Sequence, residues 1–210
     1  MINDKDDFLS RSILILMENG LNHDYADVVS ECLYVIYSHK SRKFFNLQHI
    51  LAMLRATDNY YPGLDKNSSL MPSEKLAILF HDIVKLPNST DNEEKSIELM
   101  ISFMSSYNVM ITEYCWSSRI IRAMKYNQHT NDDQSTFTVL DLDHIYLSDP
   151  YEIFKCSMES IMHDLGMINS DLIGYLEALS FKNKLYYKLH DLNPWAKNNI
   201  SKYVAEHKKL

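Results

Sequence analysis

The residues of this chain best suited to chemistry are His81 and Asp82. They close the apolar run Leu76-Ala77-Ile78-Leu79-Phe80 and are followed by Ile83-Val84. An aspartate is almost never fully buried unless it is paired or bound to a metal. Adjacent helical side chains point about 100° apart, so the two cannot share one surface face, yet they can converge on a single ion at a helix end. Imidazole plus carboxylate is a reasonable ligand set for Mn, Fe, Ni, Co, Zn or Mg. A lone His-Asp pair is, however, more often a solvated helix terminus. His49, beside the stripe Leu47, Ile50, Leu51 and Leu54, and Asp143, in Asp141-Leu142-Asp143, offer a second imidazole and a second carboxylate. Such a set of four leaves open positions in an octahedral shell for water and substrate. The alternative makes His49 and Asp143 ordinary polar residues at helix edges, and spacing alone does not separate the two readings.

The elements that must position these residues read as helices almost throughout. The pattern predicts helices over Asp6–Glu18, over Asp24–Tyr37 (with Tyr25, Val28, Val29, Cys32, Val35 and Ile36 repeating) and over Asn46–Thr57. Pro72-Ser73 opens the central helix with Ser73 as its N-cap, and Pro87-Asn88 ends it just past His81-Asp82. Thr90-Asp91-Asn92-Glu93 fits a capping box ahead of Ile97, Met100, Ile101 and Met104. Tyr114–Asn127 carries Trp116, Ile120 and Met124. Thr136–Leu140 is rich in β-branched residues and reads as an extended approach to Asp141. Helices follow from Pro150, over Ser170–His190 and over Pro194–His207. The expectation is an all-α chain, one compact helical domain over residues 1–210, with a metal site between its central helices.

Composition narrows the function classes. The chain has 210 residues and a net charge of −7, which argues against broad binding to nucleic acid or anionic membrane. No apolar run reaches the ~20 residues needed to span a bilayer. The opening residues Asp4-Lys5-Asp6-Asp7 have no signal-peptide pattern. Cys32, Cys115 and Cys156 are odd in number and widely spaced, and read as reduced core thiols of a cytoplasmic protein. Only four glycines occur, and none builds a phosphate-cradling loop.

The order His, His-Asp, distant Asp resembles that of the HD-domain superfamily. Arg42-Lys43-Phe44-Phe45-Asn46-Leu47-Gln48-His49-Ile50 resembles the Arg-x-Tyr-His-Asn-Leu-x-His-Ile segment of the predicted metal-dependent HD-superfamily phosphohydrolases. Phe80-His81-Asp82-Ile83-Val84 and Asp91-Asn92-Glu93-Glu94-Lys95-Ser96 resemble that family's Phe-His-Asp-x-Val and Asp-Asn-Glu-x-x-Ser segments. Asp141-Leu142-Asp143 is similar to its Asp-x-Asp-Leu, and Ala196-Lys197-Asn198-Asn199 to its Ala-Arg-x-Asn. The resemblance covers roughly residues 25–205.

It implies an HD-type helical bundle, a divalent metal ion held by His49, His81, Asp82 and Asp143, and hydrolysis of a nucleotide or nucleotide-derived phosphate ester through a metal-activated water. Arg42 and Lys85 are the cations nearest the ligands in sequence and are the expected phosphate contacts. Glu93 is a candidate general base or acid, with Glu94 behind it. His129 is a candidate phosphate contact, proton donor or ligand of a second metal. Asp141 is a candidate for orienting a ligand. Each has a plainer alternative as a surface charge, a cap or a loop residue. The chain also departs from the family pattern. Phe45 stands where the family has a histidine, and Ser157-Met158-Glu159-Ser160-Ile161 poorly matches its Ile-Arg-x-Glu-Tyr. These departures motivate the alternative function, a catalytically decayed HD-fold module that binds a nucleotide or a partner. The expected partner is a small phosphorylated molecule, and homo-oligomer formation is left open.

Overall fold

The computed structural model describes residues 3–59, 70–105, 111–126, 134–182, 185–187 and 189–208. Among the described residues every regular element is helical, as the periodicity predicts. The helices are α1 (Asp4–Glu18), α2 (His23–Tyr37), α3 (Leu47–Asn59), α4 (Pro72–Phe80), α5 (Asn92–Ser105), α6 (Ile111–Tyr126), α7 (Gln134–Asp143), α8 (Tyr151–Leu165), α9 (Asn169–Ser180) and α10 (Asn193–His207). Two 3₁₀ turns, Ile145–Ser148 and His190–Leu192, precede α8 and α10. His129 and Asn131-Asp132-Asp133 lie outside the described residues.

Local chemistry sets several helix starts. Asn3 and Asn22 cap α1 and α2, their side-chain oxygens accepting from the amides of Asp6 and Tyr25. Asp4, Asp6 and Asp7 place negative charge where the α1 dipole favours it. Pro72 opens α4 with its fixed φ, and the Glu74 carboxylate accepts from the Met71 amide at 2.6 Å.

Apolar burial then sorts the helices into two clusters. The first is built from α1 to α7, with α4 at its centre. Leu76, Ala77, Ile78, Leu79 and Phe80 are all fully buried, so this helix is surrounded rather than amphipathic. The second cluster gathers Phe154, Met158 and Ile161 of α8, Leu172 and Leu176 of α9, and Ala196, Ile200 and Tyr203 of α10, with Phe45 and Leu147 reaching in from the first half. Specific polar contacts join the two. The Asp164 carboxylate, at the end of α8, accepts from the backbone amides of Lys43, Phe44 and Phe45 at 2.8–3.1 Å. Asn199 of α10 donates to the carbonyls of Leu147 and Asp149 at 2.9 and 2.8 Å. Gly166 ends α8 at φ 65°, and a Cβ there would lie 2.9 Å from the Asn88 amide nitrogen. Asn88 itself sits at φ 56° and donates its backbone amide to the Leu165 carbonyl at 2.9 Å.

Several local expectations are corrected. Thr136–Leu140 is not extended but lies inside α7. Thr136, Thr138, Val139 and Leu140 are buried, and burial outweighs the small helix penalty of β-branching. Ser73 is not a cap: it is buried in the first turn of α4, and Met71 holds the cap position. The central helix stops at Phe80, earlier than Pro87-Asn88 implied. The α2 stripe is rotated. Val28 and Val35 are over half exposed, while Ala26, Val29, Ser30, Leu33 and Tyr37 face inward. Trp116 is half exposed. Ser170–His190 is not one helix, since α9 ends at Ser180. The three cysteines are free but exposed, and so are not core thiols.

Candidate metal centre

The four expected ligands come together from three helices of the first cluster, at its seam with the second. His49 lies in the first turn of α3, where the Asn46 side chain accepts from the amides of Gln48 and His49 at 2.9 and 3.3 Å. His81 is the C-cap of α4, and Asp82 follows it. Asp143 is the last residue of α7. One ligand atom from each residue lies within 4.8 Å of every other.

Pairwise distances describe a small open cage. His81 Nε2 is 2.9 Å from Asp82 Oδ2 and 3.5 Å from Asp143 Oδ1. His49 Nε2 is 3.6 Å from Asp82 Oδ2 and 3.2 Å from Asp143 Oδ1. Ligands about 2.1 Å from an ion are about 3.0 Å apart along an octahedral edge and about 3.4 Å apart along a tetrahedral one. His49 Nε2, His81 Nε2 and Asp82 Oδ2 are buried and have no hydrogen-bond partner. Buried polar atoms are almost always satisfied, so three orphans aimed at one point call for a shared partner. A divalent cation fits. The opposite ring nitrogen of His81, Nδ1, is 2.9 Å from the Ile78 carbonyl, so it carries a hydrogen, and it is Nε2 that would offer a lone pair to an ion on giving up its own proton.

Electrostatics point the same way. Burial disfavours the charged form of His81, but the Asp82 and Asp143 carboxylates outweigh it and raise the imidazole to about 10. Burial likewise opposes the Asp82 charge, and His81 and Lys85 overcome it to hold the carboxyl well below the usual range. Asp143 is held low against burial by the imidazoles of His49 and His81 beside its carboxylate. The pocket therefore requires a positive charge between two carboxylates, supplied by a proton or by a metal ion.

The other expected site residues among those described have these surroundings. Arg42 does not point at the cage. Its guanidinium donates to the carbonyls of Phe45, Asp82 and Ile83 at 2.9, 2.7 and 2.6 Å, tying the segment before α3 to the segment after α4. Lys85 donates to Asp82 Oδ1 at 2.7 Å and sits 4.1 Å above the Phe45 ring. It thereby orients one ligand and leaves Oδ2 to the cage. Phe45 thus supports Lys85. Glu93 is half-buried in the first turn of α5, and its charge adds to that of Asp82 in holding Lys85 protonated against burial. Glu94 is drawn away into a pair with Arg122 at 2.9 Å. Asp141 accepts from the amides of Tyr187 and Leu189, which makes it a loop anchor.

Two motif residues hold the backbone beyond the dipeptide. Ser96 Oγ accepts from the Val84 amide at 3.1 Å, and Asn92 pairs with both the amide and the carbonyl of Leu86 at 2.9 and 3.1 Å. Sequence reasoning missed Asp164, whose grip on residues 43–45 sets the entry to α3 and so the position of His49. An acid in the last turn of a helix opposes the dipole, and that is the one signal that could have marked it. It also missed Tyr146. With Phe44, whose ring is 4.9 Å from that of His49, Tyr146 lines a cavity of about 730 Å³ that His49 also lines.

Comparison with protein-family models, with curated proteins and with solved structures finds no match to this chain. Among the described residues no helix is long and apolar enough to cross a membrane.

Proposed function

We propose that this chain is a metal-dependent phosphohydrolase of the HD-superfamily type, acting on a nucleotide or nucleotide-derived phosphate ester. The observation that carries the reading is the convergence of three orphaned, buried ligand atoms and the Asp143 carboxylate on one point. His49, His81, Asp82 and Asp143 would hold the ion. A divalent cation there supplies Lewis-acid polarisation of a phosphoryl oxygen and activation of water. The chain's own residues do the positioning. Lys85 fixes Asp82, the Ile78 carbonyl fixes the His81 tautomer, and Arg42 fixes the two ligand-bearing segments against each other. The cavity beside His49 is of the size that takes a small organic ligand. Three free thiols suit a reducing compartment, in keeping with a cytoplasmic protein.

One observation favours the alternative, a decayed module that binds without turnover. Both cations expected to grip phosphate, Arg42 and Lys85, have donors committed elsewhere. Metal content and phosphate release, measured together, decide between the two. Purified protein with Mn²⁺, Mg²⁺, Ni²⁺ or Co²⁺ is assayed against nucleoside mono-, di-, tri- and cyclic phosphates, with His81→Ala as control. One ion per chain and turnover that His81→Ala loses are expected. Ion and ligand binding without turnover would support the module. No bound ion, with no rise in melting temperature on adding Mn²⁺, would refute the metal reading.

A further inference from the structure

The cavity beside the cage contains polar groups that the cage does not use. It is lined by His49, Phe44, Tyr146, Asp149, Cys156 and Ser160. Phe44 and Tyr146 meet edge to face at 4.8 Å. Asp149 is held rigidly by its backbone alone. Its amide donates to the Tyr146 carbonyl at 3.2 Å, its carbonyl accepts from Asn199 at 2.8 Å, and Pro150 follows. Its carboxylate is left over, with no hydrogen bond and no cation partner among the described residues. Burial alone pushes this carboxyl above its usual range. The Tyr146 hydroxyl likewise has no partner among the described residues.

A half-buried acceptor with nothing to accept is costly unless a ligand completes it. Resting on the phosphohydrolase reading, we infer that this cavity is the subsite for the organic part of the phosphate ester, and that Asp149 selects a ligand presenting two adjacent N–H or O–H donors. A carboxylate has two oxygens and accepts such paired donors side by side. Two sources share that chemistry: the cis-diol of a ribose and the amino edge of a guanine. The Phe44 and Tyr146 rings give either one an apolar wall. The phosphate then lies toward His49.

Cys156 reports occupancy of this cavity, and the exposed Cys32 and Cys115 serve as internal references. The full chain is alkylated with iodoacetamide, and each thiol is followed by mass spectrometry. The probes are GMP, AMP, dGMP, ribose 5-phosphate and inorganic phosphate, used with the parent protein and with Asp149→Asn. The expected result is selective protection of Cys156 by GMP or ribose 5-phosphate but not by phosphate alone. In Asp149→Asn the half-protecting concentration should rise about tenfold or more, as loss of a charged hydrogen-bond acceptor implies. Protection by ribose 5-phosphate that dGMP lacks assigns the diol. Protection by GMP and dGMP over AMP assigns the base edge. Asp149→Asn should keep the parent's Mn²⁺ stoichiometry and melting temperature, which a merely structural aspartate would not. Equal protection by all probes, or protection unchanged in Asp149→Asn, overturns the inference. Alkylation needs no turnover. A protein that is protected yet releases no phosphate would sink the hydrolase reading alone, and turnover without protection would sink this inference alone.

Discussion

Replacing Arg42 by lysine separates a residue that grips phosphate from one that clamps the backbone. Lysine keeps the positive charge, so a phosphate-binding role would leave stability intact and change substrate affinity. The clamp needs the fork. Arg42 reaches three carbonyls, on Phe45, Asp82 and Ile83, at 2.6–2.9 Å. A lysine ammonium can keep one of these and releases two. A hydrogen bond with one charged partner contributes about 1.5–3 kcal/mol, and partial exposure of the guanidinium reduces that. The expected cost is about 3 kcal/mol, or about 6–12 °C in melting temperature for a chain of this size. Because the released carbonyls belong to Asp82 and its neighbour, the ion cage loosens too. Mn²⁺ affinity should fall about 10–100-fold, as when the residues that orient metal ligands are lost. Thermal unfolding by circular dichroism and Mn²⁺ titration calorimetry measure both. An Arg42→Lys protein that melts within about 2 °C of the parent and binds Mn²⁺ equally well would refute the clamp, decisively so if its KM for a phosphate ester rose.

Asp164→Asn should lower stability by about 1–2 kcal/mol at neutral pH, since a neutral oxygen replaces a charged acceptor for three amides. The Asp164 carboxyl is held below 3.8 in the folded chain, so its contribution is present above 3.8 and lost as pH falls through the lowered value. The melting-temperature gap between parent and variant should therefore narrow below that pH, and a gap that widens would contradict the assignment. Gly166→Ala should cost about 1–2 kcal/mol in urea unfolding, because φ is 65° and the new methyl would meet Asn88. Gly174→Ala, where nothing lies within 4 Å, should gain about 0.5–1 kcal/mol and is the matched control. In the ion-free chain His81 holds its proton up to about 10, so an entering ion must displace it. Apparent Mn²⁺ affinity should rise about tenfold per pH unit from mildly acid to neutral pH, and a flat profile would exclude proton displacement.

The chain's periodicity was enough to establish an all-helical protein, because helix formation leaves a local repeat in the spacing of apolar residues. The types of four side chains allowed an ion site but did not separate it from ordinary polar residues at helix edges, and it is their proximity in the folded chain that distinguishes them. Which face of a helix is buried was less legible. In α2 the stripe containing Val28 and Val35 competes with a smaller one of Ala26, Ser30 and Leu33, and only packing against α1 decided between them. The region of Thr136–Leu140 failed for the same reason, as burial on nearly all sides overrode a weak local preference.

The roles of the charged residues belong to tertiary structure alone. Arg42 and Lys85 are close in sequence to ligands, but sequence proximity does not say which oxygen a cation meets. One meets backbone carbonyls and the other meets Asp82, because the loop before α3 folds back over the end of α4. Asp164 is about 120 positions from the amides it holds, and no local pattern links them. That His49, His81, Asp82 and Asp143 face one another follows from the packing of three helices whose separations in sequence are set by loops. Spacing along the chain carries no information about distance once the chain has turned back on itself.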